Sequence, residues 1–328
     1  MIVVTGGTGF IGSNLVAGLE ERGEADLVVC DRLREADKWR NVAKRALAGL
    51  VPPEELPEFL ERNAADIRAV FHIGAISSTT ESDVDLIVAT NVHLSADLWR
   101  WCAQNGVPFI YASSAATYGD GSHGFDDDGS VAGLSRLRPM NAYGWSKQLF
   151  DRMVARWLEK GDATPPQWVG LKFFNVYGPN EYHKGHMQSL VSKTFSTAAA
   201  GHPVTLFRSH NPKYADGGQM RDFVYVRDCI SVMLWLLDHP DTSGLFNLGT
   251  GQAHTFLELI GSMFAALEME PAFDWIDTPP DIRDRYQYFT QAEMGRLRAA
   301  GYEAPFVGVE EGVGEYVTRY LATEDPYR

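Results

Sequence analysis

Ile2-Val3-Val4-Thr5-Gly6-Gly7-Thr8-Gly9-Phe10-Ile11-Gly12 opens the chain and decides its fold. Ile2-Val3-Val4 is a short apolar run of strand-forming residues, and the glycines 6, 7, 9 and 12 follow at once. Ile11, Leu15, Val16 and Leu19 then recur at helical spacing. Strand, glycine turn and helix, in that order, form the context in which such a cluster reads as a dinucleotide-binding turn. Glycine permits the tight turn, lets the backbone approach a pyrophosphate and lets the helix pack on the strand. The helix N-terminus turns free N–H groups and a positive dipole end towards the phosphates. A second strand, Leu27-Val28-Val29-Cys30, runs into Asp31. An acid there can accept hydrogen bonds from a ribose hydroxyl.

Further along, strands and helices alternate. Ala69-Val70-Phe71-His72-Ile73 reads as a buried strand ending in Gly74-Ala75. Residues 91–104 have helical spacing, 107–112 form another apolar strand, and 119–138 read as a Gly- and Asp-rich loop. Within that loop, Asp126-Asp127-Asp128 reads as a solvated turn. Residues 141–159 read as a helix carrying Tyr143 and Lys147, and 168–176 as a strand. This alternation predicts an α/β fold: a Rossmann-type, doubly wound, mostly parallel sheet with right-handed crossovers. After about residue 175 the rhythm breaks and proline, histidine and aromatic residues become more frequent. The expected organisation is a dinucleotide-binding domain over 1–173, with segments near 223–250 and 287–300 returning to it. Residues 174–328 then form mainly a smaller, discontinuous α/β substrate-binding lobe.

Composition narrows the function. The 328 residues are 45% hydrophobic, enough for a full core, and the net charge is −14. That balance argues against nucleic-acid and anionic-membrane partners. An anionic nucleotide must then be held by local cations. Cys30, Cys102 and Cys229 are widely spaced and odd in number. They form neither a disulfide framework nor a metal pattern, so a reducing, cytoplasmic setting is expected. The first strand begins at residue 2, which leaves no room for a signal peptide, and no apolar run has transmembrane length. No metal site is expected.

The chemistry sits in Asn141-Ala-Tyr-Gly-Trp-Ser-Lys147. On a helix, residues four apart share a face, so Tyr143 and Lys147 point at one site. A free tyrosine holds its proton until about pH 10. A nearby ammonium favours the phenolate, and the same lysine can hydrogen-bond the nicotinamide ribose. Ser114, at the end of a Ser-rich strand, can bridge the substrate oxygen. The set is suited to moving a proton on a hydroxyl while hydride moves on the carbon.

These blocks together resemble the extended short-chain dehydrogenase/reductase family of nucleotide-sugar epimerases and dehydratases. The resemblance rests on Thr5-Gly-Gly-Thr-Gly-Phe-Ile-Gly12, Phe71-His-Ile-Gly-Ala75 with Ser77-Ser-Thr-Thr80, Tyr111-Ala-Ser-Ser-Ala-Ala-Thr-Tyr-Gly119 and Tyr143-Gly-Trp-Ser-Lys147. It continues through Phe174-Asn-Val-Tyr-Gly-Pro179, His183-Lys-Gly185, Arg221-Asp-Phe-Val-Tyr-Val226, Phe246-Asn-Leu-Gly-Thr-Gly251 and Arg285-Tyr-Gln287. The Ser-Ser-Thr-Thr, Ser-Ala-Ala-Thr-Tyr, His-Lys-Gly and Arg-Tyr-Gln blocks are similar to the branch that epimerises ADP-heptoses. The alternative is another NAD(P)-dependent nucleotide-sugar epimerase or reductase, such as a hexose 4-epimerase. A 4,6-dehydratase needs an acidic pair where this chain has Ala115-Ala116.

The resemblance implies an NADP-dependent isomerase of a carbohydrate pathway, lipopolysaccharide core biosynthesis, acting as a homo-oligomer of five or more copies. It implies Tyr143 and Lys184 as the two acid–base groups, with Ser114 and Lys147 assisting. Cofactor contacts would come from Gly6, Gly9, Phe10, Ile11, Gly12, Asp31, Arg32, Lys38, Ile73, Gly74, Ala75, Ile76, Ser77, Asn91, Tyr143, Lys147, Val176 and Lys184. ADP-heptose would be held by Ser114, Asn175, His186, Lys193, Phe207, Arg208, Ser209, His210, Arg221 and Tyr286. Asp31 alone favours NAD, while Arg32 and Lys38 offer compensating charge for a 2′-phosphate. His186 stands where the family has a small serine, and residues 211–220 read as an insertion.

Overall fold

The computed structural model describes residues 1–33, 36–283 and 287–328. Seven parallel strands form the central sheet: β1 (Ile2–Thr5), β2 (Leu27–Cys30), β3 (Gly49–Val51), β4 (Ala69–His72), β5 (Phe109–Ser114), β6 (Trp168–Phe173) and a last one from far along the chain, Gly244–Leu248. Two smaller sheets take β7 (Asn175–Tyr177), β8 (Val204–Arg208), β9 (Met220–Tyr225), then, with Gly244–Leu248 as β10, β11 (Ala253–Thr255) and β12 (Phe273–Asp277). The large sheet has the order β10-β6-β5-β4-β1-β2-β3. Its connections run outward from β1 through β2 to β3, then return to β4 on the other side. The crevice at the C-terminal ends of β1 and β4 is therefore the switch point of the sheet.

Alternation of side chains along the strands divides the core in two. Ile2, Val4, Val29, Phe71 and Ile110 pack with Leu15, Val16 and Leu19 of the helix Phe10–Glu21 and with Ile230 and Met233 of the helix Val226–Asp238. Val3, Val28, Val70, Phe109 and Tyr111 face the other way, against Leu98 and Trp99 of Leu94–Asn105 and Phe150 and Val154 of Ala142–Lys160. Both faces are covered, which is why these strands read as continuous apolar runs.

Several expectations need correction. The strand read over 168–176 ends at Phe173; β7 then pairs with β9 in a three-stranded sheet, not with the large one. Phe174 makes the break, its N–H donating to Leu248 while its carbonyl accepts from Val176. The helix read over 91–104 starts earlier, at Val84, and passes through a wider π turn, Ala89–His93, before Leu94–Asn105. Residues 119–138 include a short helix, Val131–Arg136, capped by Ser130. Asp127 is not solvated: it is 1% exposed and accepts the Asn247 N–H at 2.7 Å. The strand Gly49–Val51 and the helix Leu56–Arg62 escape a reading from periodicity because both are short.

Candidate active site

A cleft of about 1580 Å³ opens at the C-terminal ends of β1, β4, β5 and β6. Its floor is the glycine turn. Gly6 has φ +68°, and a Cβ there would stand 2.5 Å from Gly74. A Cβ on Gly12 would stand 2.2 Å from the Gly6 carbonyl oxygen. Glycine at these points lets the turn, the β4 end and the helix close on one another. Gly9 caps the helix Phe10–Glu21 without a side-chain bond to its first turn. The first-turn N–H groups can therefore meet a phosphate.

Asp31 lies at the rim with both carboxylate oxygens engaged. Thr8 donates to one through its N–H at 3.0 Å and its hydroxyl at 2.5 Å. Lys38 meets the other at 2.8 Å, as does the Arg32 N–H at 2.7 Å. Arg32 pairs through its guanidinium with Glu54. The loop Ile73 to Ser77 lines the cleft and is pinned from below by Asn91. The Asn91 amide accepts from the Ile76 N–H at 2.8 Å and donates to the Ile76 carbonyl at 3.0 Å and to Ser146 at 3.0 Å. Beside it, His72 bridges Thr5 at 2.6 Å and Ser95 at 2.9 Å, and burial pushes its imidazole down to about 3, so it is neutral at physiological pH.

The helix Ala142–Lys160 begins where Asn141 accepts the Gly144 N–H at 2.8 Å. Gly144 lets that end press on the turn after β5, where a Cβ would stand 2.7 Å from the Ala116 carbonyl oxygen. The pressed helix presents Tyr143 and Lys147 to the cleft beside Ser114. Burial pushes the Tyr143 phenol above its usual range, and a hydrogen bond with Ser114 pulls it back. Burial also pushes Lys147 down to about 8, against the attraction of Asp151. Burial, and not the Lys147 charge, therefore sets the direction for Tyr143 in this structure. Asp151 forms a fully buried pair with Lys172 at 2.8 Å, tying the helix to β6.

The second cation comes from the turn Tyr182–Met187. Lys184 lines the cleft with its ammonium 5.1 Å from the centre of the Phe10 ring. His183 is held against Asn41 at 3.2 Å, and burial pushes it down to about 4. His186 meets Thr80 at 3.3 Å, so the Ser77-Ser-Thr-Thr80 segment and this turn touch at the cleft mouth. Arg221, 8% exposed, reaches the cleft and is fixed by the carbonyls of Met220 and Gln287 and by the Phe256 ring, whose centre lies 5.7 Å away. Asn175, Val176, Lys193 and Phe207 also line the cleft.

The cleft thus gathers Gly6, Gly9, Phe10, Ile11, Gly12, Asp31, Arg32 and Lys38 with the catalytic candidates. Among the described residues Asn91, fully buried beneath the Ile76 loop, does not line it, and neither do Arg208, Ser209 and His210. Ser209 and His210 order the loop 211–220 instead: the Ser209 N–H donates to Asp216 at 2.8 Å, and the His210 N–H donates to the Tyr288 hydroxyl at 2.8 Å. Tyr286 lies outside the described residues. Sequence reasoning passed over Thr8, which braces Asp31, and Glu181, which is buried beneath the Lys184 turn. Position offered a signal for both: Thr8 sits inside the glycine cluster and Glu181 three residues before Lys184.

A parallel sheet with a dinucleotide turn at its switch point and a Tyr/Lys pair beside it defines a class, and the comparisons agree. Residues 2–249 match the NAD dependent epimerase/dehydratase family. The ADP-L-glycero-D-manno-heptose-6-epimerase of Nitratidesulfovibrio vulgaris (strain Hildenborough) is 47% identical over the whole of both chains. The crystal structure of the Helicobacter pylori ADP-L-glycero-D-manno-heptose-6-epimerase is similar with a TM-score of 0.78, at 28% identity over 97% of this chain and 95% of that one. That of Thermus thermophilus UDP-glucose 4-epimerase in complex with NAD gives a TM-score of 0.75, at 29% identity over 96% and 97%. The chain belongs to the NAD dependent epimerase/dehydratase family and, within it, to the ADP-L-glycero-D-manno-heptose-6-epimerases.

Proposed function

We propose that this chain binds NADP tightly and inverts C6″ of ADP-D-glycero-D-manno-heptose to give ADP-L-glycero-D-manno-heptose. The supporting observation is a single cleft lined by Tyr143, Ser114 and Lys147 from one part of the chain and by Lys184 from another. Inversion needs proton carriers that approach from different segments. A nicotinamide dinucleotide held at the glycine turn by the first-turn N–H groups would supply the hydride acceptor and donor. Tyr143 takes the hydroxyl proton during oxidation, with Ser114 holding the oxygen and Lys147 placed to hydrogen-bond the nicotinamide ribose. Lys184 gives a proton to the carbonyl oxygen as the other face is reduced. The hydride that leaves is the one returned, and the proton taken by Tyr143 is replaced by one from Lys184, so no outside oxidant is consumed and proton exchange with solvent resets the pair. Arg221 suits the pyrophosphate, since a guanidinium pairs with two oxygens at once.

NADP is favoured over NAD because Lys38 offsets the Asp31 charge at the rim. The domain reading follows the same line: 1–173 with returning segments holds the dinucleotide, and 174–328 holds mainly the sugar nucleotide. We place the enzyme in the cytoplasm, in lipopolysaccharide core biosynthesis, as a homo-oligomer. Consistent with this, no helix among the described residues is long and apolar enough to cross a membrane.

NMR of ADP-D-glycero-D-manno-heptose mixed with purified protein, without added cofactor, tests the reading. Conversion to the L-glycero epimer is expected. If none occurs even with NADP⁺ supplied, the heptose assignment fails and other nucleotide sugars become the candidates.

A further inference from the structure

Glu181 is a buried titratable group that the mechanism above leaves unused. Its side chain is 0% exposed. Each carboxylate oxygen accepts a backbone N–H, one from Gly178 at 3.3 Å and the other from Ser189. The first oxygen also accepts the hydroxyls of Ser189 at 2.7 Å and Tyr316 at 3.2 Å. With a backbone donor on each oxygen, the ionised form is the one this pocket satisfies. Burial pushes the Glu181 carboxyl up, and Lys184 and these donors pull it back. The Glu181 carbonyl accepts the Lys184 N–H at 3.0 Å. Glu181 thus joins the end of β7, the Lys184 turn, the start of Leu190–Ala199 and the helix Val309–Tyr316.

The groups facing this carboxylate are few. Lys184 stands on its own turn, Lys193 on Leu190–Ala199, and the Tyr182 and Tyr316 hydroxyls lie nearby. The Phe10 ring, from the helix that starts at the glycine turn, covers Lys184 on another side. Burial pushes Lys184 below its usual range, Glu181 pulls it up, and Lys193 depresses it further. Without Glu181, everything around Lys184 except the ring favours the neutral amine.

We propose that Glu181 is a positioning residue that keeps Lys184 as an ammonium and fixes its turn in the cleft, so that Lys184 is the proton donor when the carbonyl is reduced. This rests on the reading of Lys184 as the second acid–base group. If it holds, turnover falls as pH rises through the Lys184 pKa, and removing the Glu181 charge brings that fall to lower pH.

The experiment is the pH profile of kcat on saturating ADP-D-glycero-D-manno-heptose, with a thermal melt of each protein. Glu181→Gln is expected to move the alkaline limb down by about one pH unit, the shift typical of losing an opposite charge. Glu181→Asp, which keeps the charge, is expected to restore it. A uniform loss of turnover with an unmoved limb would mean that Glu181 is only structural and would overturn the proposal. Lys184→Met separates the two ideas: if it keeps parental turnover, the acid–base reading of Lys184 fails first. If Glu181→Gln does not fold, Lys193→Met asks the question from the other side. It removes a repelling cation, so the limb should rise, and an unmoved limb overturns the proposal.

Discussion

Tyr143 and Lys147 could be found from spacing alone, because four residues is one helical turn and both side chains must then share a face. What spacing could not give is their ionisation. Burial raises the phenol and lowers the amine to about 8, and burial depends on segments distant in sequence. Tyr143→Phe keeps the shape of the cleft and removes the proton carrier. Turnover is expected to fall by about 10²–10⁴, the range for losing a general acid–base group, while bound dinucleotide is retained. NMR conversion assays and the absorbance of the retained cofactor check both halves; full activity would remove Tyr143 from the mechanism. Asp127 shows the opposite failure. Three acids in a row read as solvated, yet the Asn247 N–H draws the middle one inside, and burial raises it to about 6. The native state therefore binds more protons than the unfolded state between about pH 4 and 6. Stability is lost as pH rises through that window and stays lower above it. Asp127→Asn keeps an acceptor for Asn247 and has no charge to bury. It should stabilise the protein by about 1–3 kcal/mol at pH 7.5 and by nearly nothing at pH 4. Equal denaturant midpoints for the two proteins at pH 7.5 would contradict this.

Elements were legible where both of their faces are buried. β1, β2, β4 and β5 each open on a run of three or four apolar residues, and the glycine turn announced the first crossover. The break after β6 was invisible because Leu171-Lys-Phe-Phe-Asn-Val-Tyr177 contains no glycine or proline to mark it. Only the β10 and β9 partners, from far downstream, decide that Phe174 changes sheets. The π turn at Ala89–His93 was equally hidden, since its residues keep a helical pattern while the extra residue per turn sets Asn91 beneath the Ile76 loop. The glycine turn makes a sharp test at this scale. Gly12→Ala would put a methyl 2.2 Å from the Gly6 carbonyl oxygen, so the helix Phe10–Glu21 must move off the turn. The expected loss is about 1–3 kcal/mol of stability, as for other overpacked sites, together with retained dinucleotide. Gly261→Ala is the control, because its helix leaves open space there. It should gain about 0.5–1 kcal/mol from the lower conformational freedom of the unfolded chain. Thermal melts of both variants decide; a neutral Gly12→Ala would mean the turn is looser than these contacts require.

At the scale of the whole molecule, a chain of net charge −14 has to hold a dinucleotide with two phosphate charges in NAD or three to four in NADP. Long-range repulsion must be outweighed by cations placed at the rim. Lys38 and Arg32 line that rim, and both already have partners: Lys38 meets Asp31 and Arg32 meets Glu54. Asp31 favours the free 2′-hydroxyl of NAD, whereas Lys38, by neutralising it, opens the position to a 2′-phosphate. Arg32 can serve that phosphate only by giving up Glu54, an exchange that costs little because both side chains are largely exposed. NADP should therefore stabilise the fold more than NAD at equal concentration. A ligand present at a hundred times its Kd adds about 2.7 kcal/mol, enough to raise the Tm by several degrees. Lys38→Ala should erase the NADP advantage by leaving the Asp31 charge without its cation, and Glu54→Gln should widen it by freeing Arg32. High salt should narrow it, since screening acts most on the exposed pair at the rim. Melting curves with each dinucleotide, in low and high salt, carry the whole comparison. A larger shift with NAD would reverse the cofactor choice and leave the family and the fold untouched, because both cofactors share the pyrophosphate that a glycine turn is built to hold.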